Sequence, residues 1–139
     1  MTDPYRLQRF VDAQDRVMDR VRAELRRGRK TSHWMWFVFP QIAGLGSSPT
    51  AREYAISSLA EARAYLAHPV LGPRLVESAE LVAAVEGRSA AEVFGHPDDL
   101  KLRSSMTLFA RAAPHVPVFA EVLDRFFDGS LDPGTLERI

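Results

Sequence analysis

The sequence predicts an all-α fold, a single compact domain over residues 1–139 made of roughly seven or eight short helices. Three observations carry that expectation. Apolar residues recur at three- and four-residue spacing through almost every segment, which is the mark of one buried helix face. Helix-start and helix-stop residues punctuate those stripes at regular intervals. No segment sustains the strict alternation of a half-buried strand, the run 34–39 being the only ambiguous one.

In chain order, Asp3-Pro4 has the form of an N-cap followed by proline at the first helical position. Leu7, Val11, Gln14, Met18, Val21 and Leu25 then make one amphipathic stripe, either a single long helix or two joined near residues 13–15, with Gly28 as its stop. Gln14 is polar within that stripe, and a buried glutamine is expected to bond a neighbouring helix or loop. Thr31 or Ser32 can cap a short helix over 33–38 that Pro40 ends, and the glycines of 42–48 mark a loop. Ser48-Pro49 opens a short helix to about residue 56, and Ser58 with Glu61 has capping-box spacing for a helix to 67. A longer helix is expected over 71–86. Ser89 with Glu92 is a second capping box, and a helix from His96-Pro97-Asp98-Asp99 runs to about 113. Residues 118–128 carry the next apolar face, and Asp132-Pro133 opens a last short helix.

Composition narrows the function. A chain of 139 residues with 46% hydrophobic and 26% charged side chains can bury a substantial core. Cysteine is absent, which excludes disulfides, thiolate metal sites and a cysteine nucleophile. Zero formal charge argues against broad binding to nucleic acid or anionic membrane. No apolar run approaches the roughly 20 residues of a membrane span, and no signal peptide is visible, so a cytoplasmic protein is expected. The histidines 33, 68, 96 and 115 have no metal-ligand spacing, so no metal site is expected, and no cofactor can be named. One local exception to the neutral charge is Arg20, Arg22, Arg26, Arg27, Arg29 and Lys30 at a helix end, offset only by Glu24. Cations complementing a helix C-terminus account for it without RNA.

Two segments stand out chemically. Lys30-Thr-Ser-His-Trp-Met-Trp-Phe-Val-Phe-Pro-Gln41 holds both tryptophans, one histidine and one of only two lysines. The other lysine, Lys101, begins Lys101-Leu-Arg-Ser-Ser-Met-Thr107, where helical spacing puts Lys101, Ser104 and Ser105 on one face at the edge of the core. Among 18 basic residues, lysine surviving at two places suggests a need for an ammonium there. His33 is the acid–base candidate and Lys101 an anion clamp, with Lys30, Ser32, Trp36, Gln41, Tyr54 and Ser105 as ligand contacts. Against this stands a bland reading: Lys101 pairs with Asp98, the serines bond back to the preceding turn, and both tryptophans are core.

The pieces Phe10…Ala13-Gln14, the 30–41 block, Gly44-Leu-Gly46, His68-Pro-Val-Leu-Gly72 and Phe94-Gly95…Lys101 through Phe109 resemble the domain-of-unknown-function 1810 family of small bacterial proteins. The resemblance covers nearly the whole chain, with Val38 where isoleucine is common. It implies one all-α domain of orthogonally packed helices and no particular activity. Some members carry the label calpastatin, and nothing in this chain reads as a calpain-inhibitor repeat.

The residues therefore favour a site for a small anionic, nucleotide-like ligand, binding or catalytic. A protein-interaction module with a helical groove is the alternative, and RNA binding through residues 20–30 a weaker one.

Overall fold

The structure is a computed structural model and describes residues 2–139. Among these residues it is all-helical, with ten helices in place of seven or eight. They are α1 (Gln8–Asp15), α2 (Met18–Arg26), α3 (Met35–Val38), α4 (Pro49–Glu53), α5 (Leu59–Ala67), α6 (Leu71–Ala83), α7 (Ala90–Phe94), α8 (Asp98–Ala112), α9 (Val118–Phe127) and α10 (Pro133–Leu136). Each of the ten has its signal in the sequence, with the stripe over residues 7–25 counting as two helices, so a total of seven or eight undercounts the short elements. The break between α1 and α2 falls at Arg16 and Val17, slightly beyond the expected 13–15, and the apolar stripe continues across it through Phe10, Gln14, Met18, Val21 and Leu25. Among the described residues, no helix is long and apolar enough to cross a membrane.

The caps behave locally as their sequences dictate, with two exceptions. Ser58, Ser89 and Asp132 accept the N3 backbone N–H of α5, α7 and α10, and Ser89 with Glu92 completes a reciprocal capping box. The first exception is Asp3. The helix begins at Gln8, not Pro4, and the Asp3 carboxylate reaches forward to accept from the N–H groups of Leu7 and Gln8. The second is α3, which starts at Met35 with Trp34 at its cap position and no side-chain cap; Ser32 lies two residues before that position and its hydroxyl donates to Glu24.

α8 organises the core. It packs against α5, α7, α9 and α10, while α6 packs against α2, α5 and α9. Leu102, Ser104, Ser105, Met106, Thr107, Leu108 and Phe109 are all buried, so α8 is enclosed around most of its circumference instead of along one stripe. Two of its three buried hydroxyls bond within the helix or to the α10 cap: Ser104 Oγ shares its proton between Leu100 O and Asp132 Oδ2, and Thr107 Oγ1 donates to Arg103 O. Gln14 does what its position requires, donating to Phe37 O at 2.7 Å and to the Tyr65 hydroxyl at 2.9 Å.

Two devices shape the surface beside the 30–41 block. α2 ends in a Schellman motif: Gly28 at φ +72° donates to Leu25 O, and Arg29 N donates to Glu24 O. The reversed chain then pins Lys30 N to Val93 O at 2.7 Å. Farther on, an isolated parallel bridge joins Ile42 to Ile56, with Ala43 N donating to Ile56 O and Ile56 N donating to Gln41 O, both at 2.8 Å. Arg9 clamps this region to α1, donating to Glu53 O and Ala55 O and pairing with the buried Glu61 carboxylate at 3.2 Å.

Candidate functional site

The two tryptophans of the 30–41 block face different surroundings. Trp34 is 0% exposed and packs its ring against Phe39 and Phe94. Its indole N–H donates to Glu24 Oε1 at 3.1 Å. The same carboxylate accepts the N–H groups of Thr31 and Ser32 and the Ser32 hydroxyl, at 2.7, 2.9 and 2.6 Å. Burial opposes ionisation of Glu24, yet these four donors outweigh it and hold the carboxyl at about 2, well below the ordinary 4.5. Glu24 is thus the residue that fixes the 31–34 turn. The sequence offered a signal for it, a lone acid beside the apolar residues Val21 and Leu25, which reads in isolation only as relief of the basic stretch.

Trp36 is partly exposed and forms one wall of a cleft of about 210 Å³ between the 41–46 loop and α4, together with Gln41, Arg52 and Tyr54. Tyr54 is held by ring contacts to Phe37 and Phe10. At Gln41 and Gly46 the cleft continues into a second concavity of about 230 Å³ lined by Lys101, Ser104 and Asp132. Gly46 lets the loop lie close to α4, since a Cβ there would sit 2.6 Å from the Ala51 Cβ. Asp132 is partly buried. Burial would raise its pKa, but the hydroxyls of Thr135 and Ser104 and the Thr135 N–H hold it below the usual aspartate value.

Each lysine stands over one of these tryptophans, and both reach the same carboxylate. Lys30 Nζ lies 5.1 Å from the Trp34 ring centroid and 2.8 Å from Asp98 Oδ2, with its side chain only 6% exposed. Lys101 Nζ lies 5.4 Å from the Trp36 ring centroid and 3.4 Å from Asp98 Oδ1, and is 28% exposed. Asp98 sits in the first turn of α8, where the helix dipole favours an anion.

The structure places Trp36, Gln41 and Tyr54 on one concavity and Gln41 and Lys101 on the adjoining one, sets the Lys101 ammonium over the Trp36 ring, and ties Lys30 to them through Asp98. Ser32 is turned toward Glu24. Ser105 is fully buried in α8, lines none of the cleft and has an unpartnered hydroxyl. Its expected place at the edge of the core fails because α8 has no solvent side at that turn. His33 is exposed on the 31–34 turn and lines neither concavity. Arg52 and Asp132 are cleft residues outside the expected site set; Asp132 was legible only as the cap of a short helix, and Arg52 shows no pattern of its own. The basic stretch is partly consumed internally: Arg22 bonds Glu77, Arg27 bonds Thr31 and Lys30 is buried against Asp98.

Comparison with known proteins gives a family and a relative. A model of a family described as "Protein of unknown function (DUF1810)" matches residues 4–139. The crystal structure of a conserved hypothetical protein from Mycobacterium tuberculosis is similar at 58% identity, covering 97% of this chain and 96% of that one, with a TM-score of 0.96. No curated protein matches.

Proposed function

The chain belongs to the DUF1810 family, and from the geometry of this member we propose that it binds a small planar anion, nucleotide-like in its chemistry, in the cleft beside Trp36. The reading rests on one observation, the charge count at Asp98. Two ammonium groups share a single carboxylate, and the shorter, more buried contact goes to Lys30. Asp98 is neutralised by Lys30, which leaves the charge of Lys101 for a ligand. An anion arriving there displaces only the looser 3.4 Å contact and leaves no carboxylate unpaired. The Trp36 ring beside that charge supplies an apolar surface for a flat group. Gln41 supplies an amide that both donates and accepts. His33 stands outside this arrangement, so the proposal is of binding and assigns no reaction.

A thermal-shift titration of the wild type and of Lys101→Ala with nucleotides and phosphosugars tests this. A compound that raises the wild-type melting temperature and leaves that of the variant unmoved supports the site through linkage. Equal shifts in both proteins, or none with any compound, would refute it.

A further inference from the structure

A second concavity lies at the other end of α8. It is a groove of about 720 Å³ between α5, α6 and the segment that leaves α8, a volume within the range that accommodates an organic ligand. Leu66, Pro73, Val76 and Val116 contribute aliphatic walls. The groove is open because small residues pave it. At Gly72 a Cβ would meet the Leu66 carbonyl oxygen at 2.1 Å, so α5 and α6 can turn this tightly only with glycine there. Ala67, Ala112 and Ala113 leave the remaining space.

Its electrostatics are one-sided. Among the described residues, Arg63 and His115 are the only ionisable side chains that line it, and no carboxylate does. Arg63 is exposed, and its Nε donates to Ala112 O at 3.3 Å. That bond parks the guanidinium on the rim and leaves its two terminal nitrogens without a protein acceptor among the described residues. A guanidinium so placed presents the planar fork that matches a carboxylate. Apart from the His115 imidazole the walls are aliphatic and carry no phenyl, phenol or indole ring, so they suit a flexible methylene chain over a stacked heterocycle.

We propose that this groove binds a medium-chain aliphatic carboxylate, with its chain along Leu66, Val76 and Val116 and its head group on Arg63. The site is independent of the cleft beside Trp36, which takes a planar anion at Lys101.

Decanoate, kept below its micellar concentration, and the uncharged decanol are the probes, titrated by calorimetry into the wild type, Arg63→Gln, Val76→Trp and Lys101→Ala. Circular dichroism melts would establish that each variant is folded. The expected result is saturable one-to-one binding of decanoate, with decanol at least about tenfold weaker. Arg63→Gln should bring decanoate down to the decanol level without changing decanol, Val76→Trp should abolish both, and Lys101→Ala should change neither. Absent or non-saturable binding would overturn the proposal, as would equal affinity for the two probes. Loss of decanoate binding in Lys101→Ala would also overturn it, by placing the head group in the other cleft.

Discussion

Trp34 and Trp36 are two residues apart, each lies under a lysine, and the two lysines share Asp98, yet they do opposite work. Around Trp34 the contacts are closed. The indole has its acceptor, the Glu24 carboxylate has four donors, and Lys30 has its carboxylate at 2.8 Å. Around Trp36 they are open: the ring faces a cleft, Lys101 is held at longer range, and Gln41 lines the space between. The pair teaches that an aromatic, basic segment is not one functional unit. Half of it is spent on building the turn that holds the other half at the surface.

The largest effect should come from the closed side. Glu24→Ala strands the indole N–H and two backbone N–H groups and is expected to cost about 3 kcal/mol, read as a fall in denaturant midpoint. Glu24→Gln keeps an acceptor for those donors but loses the charge, and its stability should fall between those of wild type and Glu24→Ala. If both variants were as stable as wild type, the contrast between the tryptophans would collapse. Next comes Asp98→Asn, which leaves the buried Lys30 ammonium without its carboxylate and should cost about 2 kcal/mol.

Acid probes the same turn. The Glu24 carboxyl titrates at about 2 in the folded protein against the ordinary 4.5, so its stabilisation is complete above 4.5 and is lost as pH falls from there through about 2. Stability curves of wild type and Glu24→Gln should converge across that window. Curves that stay parallel would mean the four donors do not depend on the charge. The smallest structural effect belongs to the open side: Lys101→Ala should shift stability by less than about 1 kcal/mol while removing ligand-induced stabilisation. A large loss of stability in Lys101→Ala would make Trp36 a second structural anchor and erase the difference.

What the sequence made legible follows from range. The capping residues Ser58, Ser89 and Asp132 act on N–H groups three positions away, so their roles could be read locally. The all-α class followed from periodicity and needed no partner. The site was legible only as two distinctive segments. Lys30 and Asp98 meet across 68 positions of sequence separation, and no local pattern shows that one carboxylate serves both lysines. Ser105 was misplaced because a helix face at the edge of a stripe is assumed to see solvent, and α8 is enclosed. Ser32 was read as a cap, but the helix begins two residues later than its sequence signal, with Trp34 at the cap position, and the Ser32 hydroxyl donates to the distant Glu24.

The scarcity of lysine has a practical consequence. Of the two side-chain amines in the sequence, one is 6% exposed and locked to a carboxylate, and the other is 28% exposed at the mouth of the cleft. An acylating reagent therefore has a strongly preferred side-chain target, Lys101. The rate at which that amine is modified, read by mass spectrometry, becomes a built-in gauge of cleft occupancy that needs no introduced label.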